Sequence, residues 1–297
     1  MIQSHTNSCG LKKRTLHSVV GFFFLLSSLF FYSCLSLSYS LSDEEIVSSE
    51  NLYIPQEYSW IQVRPGLSYA RYHNSRFPIL YTLVRVDLSS PDLSLVCYPM
   101  PDDVHDGKVL RIYLSEFSEK NSCAVSFNSS PFESVIDSRT KIVGVHKVQD
   151  EVVFAPVKNH AALAFDRTVS GYEAHVLPSQ DEKSVERHQY VFGGFYSVLE
   201  DGVEVKFSRH TYDSRMAVGI ADGGKSLYVL AAEGEFPEQS RGLSYAQCAR
   251  IFKRLGCTDA LELDGGTTTA LRLGKKSGLS YSTYRKTPSC IGFSFAD

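Results

Sequence analysis

The sequence predicts an α+β protein: a single domain with a mixed, strand-rich sheet core and a few packed helices, preceded by a signal peptide. Three observations predict it. Short runs of β-branched and aromatic residues, separated by turn residues, recur from about residue 53 onward. One segment, 244–256, carries a full set of helix start and stop signals. The first 33 residues have the three-part pattern of an export signal. The composition suits a chain with a real core, with 43% hydrophobic and 21% charged residues among 297. Thirty basic against 33 acidic residues leave a net charge of −3. A nucleic-acid partner would need a basic surplus or stripe, so none is expected.

Taking the elements in order, Lys12, Lys13 and Arg14 form a positive region before the apolar run 19–32. That run is short for a membrane span and right for the core of a signal peptide, read here as residues 1–33. Cleavage after a small residue such as Ser33 gives a secreted chain. Alternatively, the Phe31-Tyr32-Ser33-Cys34 stretch resembles a loose lipobox, in which Cys34 is the lipid-attachment residue. Residues 34–52 are Ser-rich and polar, as in a tether, and 53–297 form the domain. The expected location is the cell envelope, with the exported chain held by an N-terminal lipid anchor on a periplasmic or outer surface.

Within the domain, strands are expected at 81–87, 93–98, 124–128, 141–147, 152–157, 160–165, 190–199 and 203–207. Gln149-Asp150 reads as the turn of a hairpin, and the polar stretch 178–189 as an exposed loop or short surface helix. A helix is expected near 110–121, where Leu110, Leu114 and Phe117 share a face. The strongest helix follows Ser244, which forms a capping box with Gln247. Cys248, Ile251, Phe252 and Leu255 make one apolar stripe, Lys253 and Arg254 occupy the last turn, and Gly256 supplies the stop. Residues 260–263 then read as a strand that delivers Asp264-Gly265-Gly266 to a sheet rim. Of seven cysteines, Cys97, Cys123, Cys248, Cys257 and Cys290 lie in the domain. An odd number leaves a thiol unpaired, and most are expected as small buried apolar residues.

One motif matches by letters and fails by context. Gly219 to Ser226 satisfies the phosphate-loop pattern, but the mechanism requires a helix immediately afterwards. Residues 227–231 favour a strand, so Asp222-Gly223-Gly224 is expected as a hairpin turn.

The candidate chemistry lies at strand ends. Glu262 and Asp264 share a face on regular strand geometry, and the glycines and threonines after Asp264 offer N–H groups and hydroxyls to an anion. Glu233 stands beside Gly234 at another strand end, and Arg215 opens a third run. Asn128 precedes a Ser-Ser-Pro turn. An Arg, two carboxylates, an Asn and a Gly/Thr turn suit an anionic sugar phosphate. His73, His105, His146, His160, His175, His188 and His210 lack the i, i+4 spacing of a helical metal pair. His210, five residues before Arg215, stays as a minor candidate beside Glu262. No metal ligand set and no cofactor are expected, although a divalent metal stays open.

The order of these pieces carries a resemblance. Asn128 to Phe132, Gly193-Gly194, Ser214-Arg215 through Gly219, Glu233-Gly234, Gly242 to Ser244, Leu255-Gly256 and Ala260 through Thr268 follow one another as in the phosphodiester glycosidase family. The likeness covers roughly 120–295, with 241–271 the most specific part. It implies hydrolysis of a glycosyl phosphodiester, with an anionic glycan or sugar-phosphate as substrate. On that reading Asp264 and Glu233 are the catalytic candidates and Arg215 holds the phosphate. Asn128 and Gly265, Gly266, Thr267 and Thr268 position sugar or phosphate. This chain departs from the family pattern in three places. Ser129-Ser130-Pro131 replaces Gly-Gly-Phe, Glu233-Gly234-Glu235 replaces Asp-Gly-Arg, and Thr267-Thr268 replaces Gly-Ser. A misplacement near 1 Å costs on the order of 100-fold in rate. The alternative expectation is therefore a non-catalytic, glycan-binding envelope lipoprotein.

Overall fold

The computed structural model describes residues 52–208, 211–274, 279–282 and 285–296. The signal peptide, most of the tether and Cys34 lie outside these residues, as does His210.

The largest sheet has eight strands. In spatial order they are Ile61–Arg64, Leu67–Asn74, Ile79–Asp87, Ser226–Glu233, Arg215–Ala221, Asp259–Glu262, Ser197–Glu200 and Val203–Glu204. A five-stranded sheet runs Ser280–Ser282, Ala270–Leu273, Val125–Asn128, Cys290–Phe295 and Leu93–Tyr98. A second five-stranded sheet runs Glu151–Phe154, His146–Val148, Tyr190–Gly193, Ala162–Thr168 and Gly171–Leu177. The α+β, strand-rich class stands, and the strand pairs among the described residues are antiparallel. Among the described residues, three α-helices accompany the sheets: Leu114–Lys120, Glu182–Glu186 and Tyr245–Arg254.

Side-chain alternation gives the large sheet two apolar faces. Val84, Val86, Met216, Val218, Val229 and Leu261 point inward to Phe127, Phe165, Phe192 and Phe293 of the smaller sheets. Leu83, Ala217, Leu230 and Ala260 point outward to Cys248, Ile251 and Phe252 of the Tyr245–Arg254 helix. The predicted capping box is present: Ser244 Oγ accepts the Gln247 N–H at 3.3 Å, and Gln247 Oε1 accepts the Ser244 N–H at 2.9 Å. This helix seats directly over Gly219, where a Cβ would stand 2.4 Å from Phe252 Cδ1.

Asp222–Gly224 is a single turn of 3-10 helix between two paired strands, so a strand follows the motif and the phosphate-loop reading fails as expected. Gln149 and Asp150 both take positive φ in the tight hairpin joining His146–Val148 to Glu151–Phe154. The expected strand 190–199 is instead two strands in different sheets. The chain crosses at Gly194, where a Cβ would meet Leu261 Cδ1 at 2.4 Å and the Glu262 carbonyl at 2.7 Å. All five described cysteines are free thiols, four of them buried.

Candidate functional site

The site is built at the end of the Asp259–Glu262 strand. The Leu263 N–H still reaches the Met216 carbonyl at 2.8 Å, continuing the large sheet. The chain then turns to the neighbouring sheet. The Asp264 N–H binds the Ser129 carbonyl at 2.7 Å, and the Asp264 carbonyl accepts Asn128 Nδ2 at 2.6 Å. Asn128 Oδ1 accepts the Ala270 N–H at 2.8 Å. One fully buried amide thus ties both ends of the 264–270 turn to the Val125–Asn128 strand.

Inside the turn, Gly266–Thr268 forms a 3-10 turn, with Thr267 half-buried. Thr268 Oγ1 lies 2.7 Å from Asp264 Oδ2 and 2.7 Å from the Gly265 carbonyl. The single hydroxyl proton is given to one of these oxygens or shared between them as a three-centre bond. Burial raises the Asp264 carboxyl to about 7, with the Thr268 hydrogen bond opposing the rise. Part of Asp264 remains solvent-accessible.

The Asp213-Ser214 segment forms the adjoining wall, with Ser214 accepting the Gly266 N–H at 2.8 Å. Three glycines allow other backbone to approach it. Added Cβ atoms would fall 2.4 Å from Ser214 N at Gly234, 1.9 Å from Asp213 O at Gly242, and 2.8 Å from Ser214 O at Gly265. Ser214 Oγ donates to Glu235 Oε1 at 3.3 Å and lies 3.5 Å from the Tyr281 hydroxyl. Burial raises the Tyr281 hydroxyl, and the charges of Glu233 and Glu235 raise it further.

The predicted residues do not all meet. Arg215 pairs with Ala232, so strand alternation sends its side chain to the helix face and Glu233 to the opposite face. Arg215 Nε donates to the Leu243 carbonyl and Nη2 to the Thr211 carbonyl, each at 2.8 Å. Its guanidinium stacks 4.2 Å above the Tyr245 ring and is only 6% exposed. It therefore fastens the segments that carry Asp213 and Gly242 and does not project into the rim. Glu262 is on this helix side too, nearly fully buried and raised to about 7 by burial, with the Arg215 charge opposing. Its Oε1 finds no hydrogen-bond partner among the described residues. Asp264 has left the strand, and its backbone is tied to the adjoining sheet.

Glu233 lies on the inward face at the rim, where Arg71 Nη2 stands 3.4 Å from its Oε1. Burial raises its carboxyl, while Arg71 and then His73 oppose the rise. The rim thus joins Asp264, Thr268, Gly266, Ser214, Glu235, Tyr281 and Glu233, with Arg71 as an accessible cation. Arg71 and Tyr281 come from strands outside the motif series, and nothing in their local sequence marks them. Ser214 and Glu235 lie inside quoted motif segments, although neither is among the site candidates read from the sequence.

A family model described as phosphodiester glycosidase matches residues 123–294. No curated protein sequence matches. Solved structures share the fold, among them two from Synechocystis and zebrafish. A hypothetical protein from Synechocystis has 15% identity and a TM-score of 0.61, covering 81% of this chain and 64% of its own. The chain thus spans less than two thirds of that protein. The zebrafish N-acetylglucosamine-1-phosphodiester alpha-N-acetylglucosaminidase catalytic domain, auto-inhibited by its pro-peptide, has 16% identity and a TM-score of 0.57, covering 82% of this chain and 87% of its own.

Proposed function

Because this chain belongs to the phosphodiester glycosidase family, we propose that it hydrolyses a glycosyl phosphodiester at the Asp264 rim. The observation that carries this reading is the Asp264 carboxyl held at the rim by the Thr268 hydroxyl at 2.7 Å, in a setting whose burial raises it to about 7. A partly exposed carboxylic acid that keeps its proton near neutral pH is suited to protonating the oxygen that leaves the anomeric carbon. Glu233 is the second carboxylate, receiving the proton of the attacking water. Arg71 draws the phosphate, a role the buried Arg215 guanidinium is not placed to fill. Asn128 and Arg215 act as positioning residues through the backbone they hold.

The substrate proposed is an envelope glycan or glycoconjugate, reached by an exported chain anchored through Cys34. The basic and apolar pattern of residues 12–34 supports that location. A second reading, a glycan-binding module without turnover, is favoured by one observation: Arg215 and Glu233 leave opposite faces of their sheet. Incubating the purified protein with a panel of sugar-1-phosphodiesters separates the two. The enzyme reading expects turnover that falls at least about 100-fold in Asp264→Asn and a raised KM in Arg71→Ala. Glycan binding without turnover, unchanged in both variants, establishes the module instead.

A further inference from the structure

A second cluster of chemistry lies in the sheet that contains Ala162–Thr168 and Gly171–Leu177. These strands form a hairpin in which Asp166 is paired with Glu173, and Ala164 with His175. The pairing puts Asp166, Glu173 and His175 on one face. Two carboxylates directly opposite each other across a strand pair repel, an arrangement that costs stability unless a cation lies between them. The short Glu182–Glu186 helix, packed on the same face through Val185, returns the chain so that His188 joins the group.

Both imidazoles converge on one oxygen. His188 Nδ1 is 2.6 Å from Asp166 Oδ2, and His175 Nε2 is 3.5 Å from the same atom. His175 Nε2 also lies 3.6 Å from Glu173 Oε1. The two rings face each other at 4.8 Å between centroids, with planes inclined by 36°. The donor atoms of Asp166, His175 and His188 all lie within 4.8 Å of one another. Four donors around a tetrahedral ion with bonds near 2.0–2.1 Å stand about 3.3 Å apart; the His188–Asp166, His175–Asp166 and His175–Glu173 pairs stand at 2.6, 3.5 and 3.6 Å, and side-chain rotation closes the other pairs onto the ion. Asp166 is already oriented: its Oδ1 accepts the Gln189 N–H at 2.9 Å, and Gln189 Oε1 accepts the Arg167 N–H at 2.8 Å. Such outer hydrogen bonds commonly fix carboxylate ligands.

We propose that Asp166, Glu173, His175 and His188 bind one divalent transition-metal ion, with Zn2+ the best match. Two neutral imidazoles and two carboxylates make an N2O2 shell of charge −2 that a divalent ion neutralises, a donor set that suits Zn2+ over Mg2+ or Ca2+, which prefer oxygen alone. The ion replaces the hydrogen bond to His188 Nδ1, whose lone pair must then face the metal, and it separates the paired carboxylates. It clips the 162–177 hairpin to the segment after the short helix, away from the residues assigned to the glycosidase rim.

The test uses the purified protein after chelation and dialysis. Titration with Co2+ is expected to produce the visible absorption of a four-coordinate site, saturating at one ion per chain and displaced by Zn2+. Zn2+ is expected to raise the melting temperature. His188→Ala and His175→Ala lose the band, and Glu173→Gln, the milder variant that trades a carboxylate ligand for a neutral amide oxygen, weakens affinity by at least roughly 10-fold. Circular dichroism confirms that each variant is folded. Absence of saturable uptake by the wild type overturns the proposal, as does a Co2+ band that survives in both folded histidine variants.

Discussion

At the scale of the residue, Asp264 and Asn128 have separable roles. If Asp264 acts as the acid, it works only while protonated, so activity should hold below about pH 7 and fall as the pH rises through the raised pKa. A kcat/KM profile measures this; an alkaline limb centred near an ordinary carboxylate pKa, well below 7, would assign the proton to another group. Asn128 makes no contact that requires a ligand. Replacing it with Ala strips a donor from the Asp264 carbonyl and an acceptor from the Ala270 N–H, both in a buried setting. Leaving two such groups unpaired costs about 3 kcal/mol. Denaturant unfolding of Asn128→Ala should show that loss together with reduced activity, whereas unchanged stability would contradict the tie. Asn128 stood out in the sequence as a site candidate, but its task depends on Asp264 lying 136 positions away, a separation no local pattern encodes.

At the scale of the element, backbone approach shapes the rim. Gly242 has φ of +74°, and a Cβ there would overlap the Asp213 carbonyl. Gly242→Ala therefore combines left-handed strain with a clash that only backbone movement relieves, and should cost about 2 kcal/mol or more. Thermal unfolding checks this, with Gly202→Ala as a control of similar φ but no neighbouring atom within 4 Å. A loss no greater than the control's would mean that the approach to Asp213 is not tight. The best-read elements carried their instructions locally. Ser244, Gln247 and Gly256 delimit the helix through caps, and the 222–224 turn is marked by its glycines. The 190–199 run reads as one strand because its alternation continues across Gly194, while the break comes from Leu261 and the Glu262 carbonyl beneath it. The His175–His188 cluster escaped for the same reason. Its ligands meet through hairpin register and a returning loop, where helical spacing rules have no purchase.

At the scale of the whole molecule, two raised carboxyls make stability depend on pH. Glu262 goes from 4.5 to about 7 and Asp264 from 3.8 to about 7, in both cases mainly through burial. Between about pH 4 and 7 the folded state therefore holds more protons at these sites than the unfolded chain does. With more protons bound in the folded state, their contribution to stability falls as pH rises through that window and levels off above it. Glu262 isolates the effect because it is 1% exposed and lies beneath the helix, away from the rim. Glu262→Gln removes the titration while keeping a polar side chain beside Cys248, with which Glu262 shares a hydrogen bond. Denaturation of wild type and variant at pH 5 and pH 8 should give a smaller loss between the two pH values in the variant. Relative to wild type, the variant should gain most at pH 8, where the native carboxylate must be ionised without a full set of partners. Equal losses in the two proteins would mean that Glu262 ionises alike in the folded and unfolded states. Arg215 would then be neutralising that carboxylate fully, and its hold on Thr211 and Leu243 would be coupled to the buried acid after all.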